Sequence, residues 1–86
     1  QERRSVMSAE AKIKQLIVKV SKGMVKEDMI TMDADMRKDL GLDSLAMMEL
    51  LVMIEDAFGI SVDIEDAQAA STLRLTLSYL EKYLKP

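Results

Sequence analysis

Apolar side chains recur at helical spacing near the start of the chain. They lie three, four, seven and eleven residues beyond the first one, which places them on one stripe of a helix: Ile13, Leu16, Ile17, Val20 and Met24. Ser8 is a suitable N-cap, and Gly23 can adopt the left-handed backbone that often ends a helix. The pattern predicts a first amphipathic helix over about residues 8–22.

A long segment of weaker periodicity follows, over residues 24–42. Spaced apolar side chains are expected to pin this segment to the core: Val25, Ile30, Met32, Met36 and Leu40. Loops of this length are uncommon unless they are functional or contain a short helix. We therefore expect a long first loop after the first helix.

Three further helices are predicted downstream. The run from Ser44 to Phe58 is strongly helical, and Gly59 is a natural stop. A short helix is expected from an Asp63 cap through about Ala69, and Ser71 or Thr72 can cap the last one. That last helix should present one apolar face: Leu73, Leu77, Leu80 and Leu84. Without any alternating strand pattern, the prediction is an all-α, small four-helix bundle of three long helices and one short helix.

The second predicted helix has more apolar residues than one buried stripe needs. At 100° per residue they separate into two faces. One is a core stripe: Met47, Leu50, Leu51, Ile54, Ala57 and Phe58. The other mixes apolar and acidic side chains: Leu45, Met48, Glu49, Val52, Glu55 and Asp56. This second face is either a surface that binds partners or a surface covered in part by the first loop.

Composition narrows the possible functions. The chain has 86 residues, no His and no Cys, so imidazole bases, thiolate nucleophiles and N/S-ligated zinc are excluded, and no metal site is expected. Its formal net charge is −3 with 3% aromatic residues, which does not suit nucleic-acid binding. No apolar run is long enough to span a membrane, so we expect a soluble protein. We also expect it to be monomeric and to lie in the cytoplasm, or in an organelle if a transit peptide was removed.

Charge and periodicity both change along the chain. Residues 1–38 hold nine Lys and Arg against six Asp and Glu, a net of +3, whereas residues 39–86 hold three against nine, a net of −6. Residues 1–7 show no apolar periodicity, and we expect them to be a tag, a linker or a disordered N-terminus. One domain is then predicted over residues 8–86. Its acidic second half favours partners with basic surfaces.

One motif stands directly before and at the start of the second helix: Asp39-Leu40-Gly41-Leu42-Asp43-Ser44-Leu45. Gly41 permits a tight turn. Ser44 places a hydroxyl at a helix N-terminus, where free N–H groups and the positive end of the helix dipole stabilise a phosphate ester. The same serine could instead be an N-cap, a role that Asp43 could share. Spacing alone leaves both interpretations open.

The motif resembles the D-L-G-x-D-S-L signature of acyl carrier proteins. The following residues are similar to that family's second helix, with Met48-Glu49-Leu50 and the run 54–59 at the matching distances. The long loop, the short third helix and the Thr72-Leu73 start of the last helix also fall in the family's order. The resemblance covers the chain apart from residues 1–7. It differs at Val62-Asp63, where many members have Ile-Pro.

The resemblance implies that Ser44 is the attachment site of 4′-phosphopantetheine, donated by coenzyme A through a phosphopantetheinyl transferase, the holo-carrier synthase. Such a protein is a carrier and not an enzyme, with no catalytic residues. It holds acyl intermediates as thioesters and shuttles them between acyl-transferring and ketoacyl synthase-type enzymes of fatty-acid or related biosynthesis. By the same resemblance its partners dock on Asp43, Leu45, Met48, Glu49, Val52, Glu55 and Asp56.

Two other functions fit parts of the pattern. One is an aminoacyl or peptidyl carrier domain of an assembly line. The other is a helical interaction module without a prosthetic group, in which Ser44 only caps its helix. The methionines leave a further question open, because Met36, Met47 and Met53 could either form a compliant space that shelters an acyl chain or simply fill the core.

Overall fold

Four α-helices make up the fold in the computed structural model, which describes the backbone of residues 2–84 and the side chains of residues 9–84. Their bounds are α1 Glu2–Val20, α2 Ser44–Phe58, α3 Ile64–Ala69 and α4 Leu73–Leu84, with a 3-10 turn at Glu27–Met29 in the first loop. Over residues 2–84 the only strand-like pairing is an isolated bridge between Asp35 and Thr72. The prediction of an all-α bundle with three longer helices and one short helix is confirmed.

The first helix begins earlier than predicted. Its start is Glu2 rather than Ser8, so Ser8 lies inside α1 and the predicted cap was wrong. Residues 2–12 contain neither Pro nor Gly and include many strong helix formers, so nothing stops the helix from extending upstream. Gln1, Lys85 and Pro86 lie outside the described residues. The interpretation of residues 1–7 as a tag or linker stays a prediction.

The first helix also ends two residues earlier than predicted, at Val20 rather than at about residue 22. The N–H of Lys22 donates to the carbonyl of Lys19 (3.0 Å), and the N–H of Gly23 donates to that of Val18 (3.2 Å). This paired bonding is the Schellman arrangement, whose left-handed position falls on Lys22 (φ 57°). Gly23 follows it, also with positive φ (83°). The prediction that Gly23 is the helix-ending residue was therefore one residue off.

The core is shared by α1, the first loop, α2 and α4. Its most buried side chains are Ile13, Ile17, Val25, Met36 and Leu73, each less than 2% exposed or at that limit. Burial of the predicted loop anchors is confirmed, since Ile30 and Leu40 are also buried and Met32 packs against the core. On the predicted apolar face of α4, Leu73 and Leu80 are buried, whereas Leu84 is 46% exposed. It lies in the final turn of α4, where a side chain has neighbours on one side only.

Two sets of contacts fasten the first loop to α4. The guanidinium of Arg74 donates two hydrogen bonds to the carboxylate of Asp33, at 2.8 and 3.1 Å. These bonds also hold the pKa of Asp33 below its usual value. The N–H of Met36 donates to the carbonyl of Ser71 at 2.9 Å, just before α4 begins. The loop that leads to α2 is therefore fixed at a point close to the start of α4.

Two kinds of feature are missing from the described part of the chain. None of its helices has both the length and the apolar character needed to cross a membrane. Nor do three or more of its His, Cys, Asp or Glu side chains gather into a group that could hold a metal ion.

The left-handed backbone at Lys22 yields a stability prediction. A side chain in this conformation is strained, and glycine is not, although glycine loses more conformational entropy on folding. Lys22→Gly should therefore raise the free energy of unfolding by about 0.5–1 kcal/mol in a urea titration. Lys19→Gly, in the last turn of α1, is the matched control and should lower it by about 1 kcal/mol. Equal losses in both variants would contradict the assignment of strain to Lys22.

Candidate functional site

The start of α2 divides two roles between neighbouring residues. Asp43 is the N-cap, and its Oδ1 accepts a hydrogen bond from the N–H of Ala46 at 2.8 Å. Ser44 is the first residue of the helix and is exposed. Its hydroxyl makes no hydrogen bond with the described residues. The interpretation of Ser44 as the cap is therefore wrong, and its hydroxyl is free for another use.

The preceding loop holds this pair at the surface. Leu40 and Leu42 are both buried, and Gly41 between them has a φ of 75°, which a residue with a side chain rarely adopts. The N–H of Leu42 donates to the carbonyl of Met36 at 2.9 Å. Two buried leucines on either side of a left-handed glycine anchor the chain inward, so that the following residue, Asp43, turns outward.

A second set of hydrogen bonds stabilises the loop just before Leu40, over residues 35–39. Oδ1 of Asp35 accepts hydrogen bonds from the N–H groups of Arg37 and Lys38, both at 2.9 Å. In return, Oδ2 of Asp39 accepts the N–H of Asp35 at 2.7 Å. The bond from the Lys38 N–H is the main reason that the pKa of Asp35 is lowered. Asp39 of the motif therefore acts as a structural residue within the loop.

The mixed face of α2 is open to solvent. Its apolar members Leu45, Met48 and Val52 are 68%, 48% and 54% exposed, and the first loop leaves them uncovered. Glu49 and Asp56 are exposed beside them. We call this surface the α2 face: Asp43, Leu45, Met48, Glu49, Val52 and Asp56.

Glu55 behaves differently from the other carboxylates of α2. It is half-buried, and its Oε2 accepts a hydrogen bond from the N–H of Val62 at 2.9 Å. This bond ties the last turn of α2 to the segment that leads into α3. Opposite the α2 face, Leu50 and Ile54 are buried and Leu51 is half-buried, as the core stripe predicted. Ala57 is exposed, so its predicted core position was wrong.

The α2 face has an apolar neighbour that the sequence interpretation misplaced. Met24 was assigned to the buried stripe of the first helix. Because α1 ends at Val20, Met24 lies in the loop and is 81% exposed. Together with Leu45 it lines a groove beside the start of α2. Gly23 did signal a helix end before Met24, but the apolar spacing continues past that end and placed Met24 on the stripe.

A cavity of about 200 Å³ lies between α2, α3 and α4, with Ser44 among its lining residues. Met36 and Met47 contribute to its apolar lining, as do Leu50, Leu51, Ile54 and Leu80. Met53, which was expected to join them, does not line the cavity and packs against the core instead. An apolar space therefore adjoins the free hydroxyl.

Polar groups line the same cavity where α3 meets α4. Asp63 occupies the N-cap position of α3 as predicted, but its side chain makes no capping bond. Its N–H instead donates to Oη of Tyr83 (3.1 Å), whose hydroxyl donates to Oδ2 of Asp66 (2.6 Å). That bond lowers the pKa of Asp66 and raises the pKa of Tyr83. Nζ of Lys82 also reaches Asp66, at 3.4 Å. The sequence interpretation identified Asp63 but missed Tyr83, which comes from a different helix.

The chain is similar in sequence to known acyl carrier proteins. A family model described as a phosphopantetheine attachment site matches residues 11–80. The acyl carrier protein of Desulforapulum autotrophicum is 41% identical over 76 residues, which are 88% of this chain and 97% of that relative. Acyl carrier protein 2 of Pseudomonas aeruginosa is 38% identical over 58 residues, 67% of this chain and 73% of that relative.

The fold is also similar to a solved structure. The acyl carrier protein from Enterococcus faecalis superposes with a TM-score of 0.69 at 25% sequence identity. The match covers 87% of this chain and 96% of that chain.

The division of roles between Asp43 and Ser44 predicts unequal effects of truncation. Asp43→Ala removes the cap of α2 and should lower the free energy of unfolding by about 0.5–2 kcal/mol. Ser44→Ala removes an exposed, unbonded hydroxyl and should change it by less than about 0.5 kcal/mol. Urea titrations of both variants give the comparison. A larger loss from Ser44→Ala than from Asp43→Ala would contradict the assignment of the cap.

Proposed function

The chain belongs to the acyl carrier protein family, whose model contains a phosphopantetheine attachment site, and we propose that Ser44 is the residue to which 4′-phosphopantetheine is attached. The donor is coenzyme A, and a separate phosphopantetheinyl transferase makes the bond. The observation that carries this proposal is the exposed hydroxyl of Ser44, free of hydrogen bonds to the described residues, at the first position of α2.

The position of Ser44 suits a phosphate ester. An ester on its Oγ would place negative charge at the N-terminus of a helix of 15 residues, where free N–H groups and the helix dipole favour an anion. Asp43 supplies the cap, so esterification of Ser44 costs the helix no capping bond. The residues present therefore fit the group.

The proposed cargo is an acyl group. The attached arm supplies a thiol that holds acyl groups as thioesters, a chemistry that the chain itself lacks because it has no Cys. The chain's own contribution is to present Ser44, to offer the α2 face to enzymes and to provide the apolar cavity beside α2. We propose that intermediates of fatty-acid or related lipid biosynthesis are carried in this way.

The α2 face is the proposed surface for partner enzymes. Three exposed apolar side chains lie among carboxylates there, which fits a partner surface with an apolar centre and basic surroundings. Exposed ion pairs contribute about 0.2–1 kcal/mol each and are screened by salt. Docking of the phosphopantetheinyl transferase, and of acyl-transferring and ketoacyl synthase-type enzymes, is then weak and quickly reversed, as a shuttle requires. Glu55 has a second role, because its carboxylate also holds Val62.

The cavity supports a sheltering role for the bundle. It adjoins Ser44 and is lined by flexible Met36 and Met47 among branched aliphatic side chains. Burying a methylene there contributes about 0.8 kcal/mol. We propose that part of an acyl chain attached through Ser44 lies in this cavity between reactions.

Attachment at Ser44 is tested by mass. Incubation with coenzyme A and a broad-specificity phosphopantetheinyl transferase should add one phosphopantetheine to the protein, seen by intact mass spectrometry. Ser44→Ala should gain nothing, whereas Ser78→Ala, which removes an exposed serine of α4, should gain one group like the parent. If the parent stays unmodified while a control carrier is loaded, the proposal fails and the interaction module without a prosthetic group becomes the leading function.

The role of the α2 face is tested by charge reversal. Glu49→Lys should raise the KM of the transferase for this protein by about 2- to 10-fold at low salt, because an attraction becomes a repulsion. The difference should shrink as the ionic strength is raised. Glu81→Lys changes the net charge equally on an exposed site of α4 and should leave KM near the parent value. Equal effects of the two reversals would show that net charge alone matters and would remove the α2 face from the proposal.

A further inference from the structure

Helix α3 forms one wall of the cavity and is held in place mainly by contacts with other elements. Ile64, Asp66, Ala67 and Gln68 line the cavity from this helix. At six residues α3 is much shorter than a helix that is stable alone. The side chain of its N-cap residue makes no capping bond, and Ile64 is 49% exposed. Its position over the cavity therefore depends on contacts with its neighbours.

Tyr83 supplies the most specific of those contacts. A capping box joins the N-cap N–H to the side chain of the residue three positions on, which here are Asp63 and Asp66. The two do not bond directly. The hydroxyl of Tyr83 lies between them, accepting from the Asp63 N–H at 3.1 Å and donating to Asp66 at 2.6 Å. A side chain of α4 thus completes the box of α3 and ties the two helices together at the cavity wall.

The position of α3 also sets the size of the cavity. Its volume is about 200 Å³ with α3 in place. The methylenes of a sheltered chain gain stability by burial only as far as the apolar lining extends. A longer chain finds more lining only if a wall moves. Among the walls, the short α3 is the one held through the side chain of Asp66, by the hydroxyl of Tyr83 at 2.6 Å and by Nζ of Lys82 at 3.4 Å.

We propose that Tyr83 determines the length of acyl chain that this carrier shelters, because its hydroxyl holds α3 against α4 and so limits how far the apolar lining of the cavity extends. Tyr83 is a positioning residue, since it acts through α3. The inference rests on the proposed attachment of acyl cargo through Ser44. It adds the residue that sets the length of the sheltered chain.

The test compares two phenylalanine variants. Tyr83→Phe removes the bridging hydroxyl and keeps the ring. Tyr79→Phe makes the same chemical change one turn earlier on α4, at a half-buried tyrosine that also lines the cavity but whose hydroxyl makes no hydrogen bond with the described residues. Each protein is loaded on Ser44 with straight acyl chains from butanoyl to tetradecanoyl, in steps of two carbons, using the acyl-coenzyme A esters and a broad-specificity transferase. Intact mass verifies loading, and the Tm of each species is measured.

In the parent and in Tyr79→Phe, the Tm should rise with chain length and then level off at the same chain length. In Tyr83→Phe the rise should continue by at least two further steps, since the wall can move outward. Asp66→Ala breaks the same bridge from its other end and should shift the plateau in the same direction. Hydrogen exchange of the amides of residues 63–69 should be faster in Tyr83→Phe than in Tyr79→Phe, with the amides of α2 unchanged.

The outcomes distinguish a failure of the proposed function from a failure of the role of Tyr83. If Ser44 does not load, the proposed function fails and the inference fails with it. If loading succeeds but the plateau falls at the same chain length in Tyr83→Phe and Tyr79→Phe, only the role of Tyr83 is overturned. A Tm that does not change with chain length in the parent overturns the sheltered cargo as well, while the attachment at Ser44 stands.

Discussion

The hydrogen bond from the Ala46 N–H to the Asp43 carboxylate is the contact on which the site depends. It satisfies a donor at the exposed start of α2 and sets where the helix begins. Because Asp43 has this task, the next residue, Ser44, enters the helix with its hydroxyl unbonded to the described residues. A single residue that both capped the helix and accepted a phosphate ester would lose the cap on modification. Two adjacent residues avoid that conflict.

Helix α2 carries apolar side chains on two sides. Leu50 and Ile54 bury one side in the core, while Leu45, Met48 and Val52 stay exposed on the other. Exposed apolar area of this kind favours association and is usually retained where a partner covers it. The carboxylates around it disfavour pairing of two such surfaces, because like charges would then face each other. The combination suits brief contact with basic partners.

Local signals predicted α2 better than any other element. Its bounds, Ser44 and Phe58, follow from a capping residue before it and a left-handed Gly59 after it, both of which act within a few residues. The start of α1 was wrong because no breaker precedes Ser8, and Met24 was misplaced because periodicity does not mark a helix end. The role of Tyr83 could not be predicted from residues close to it in the sequence. It lies 20 residues from Asp63 in the chain, and only the packing of α4 brings the two together.

The bridge between α3 and α4 is built from groups that keep their protonation states over a wide range of pH. The hydrogen bond from Tyr83 lowers the pKa of Asp66, so this carboxylate stays charged until the medium is more acidic than a free aspartate requires. The same bond raises the pKa of Tyr83, so the phenol keeps its proton into more alkaline solution than usual. The contribution of Asp66 to the free energy of unfolding is thus lost only as the pH falls below the usual aspartate range. The contribution of Tyr83 is lost only as the pH rises above the usual tyrosine range. Near neutral pH neither group titrates. A change of pH near neutrality therefore does not release α3 by titrating this bridge.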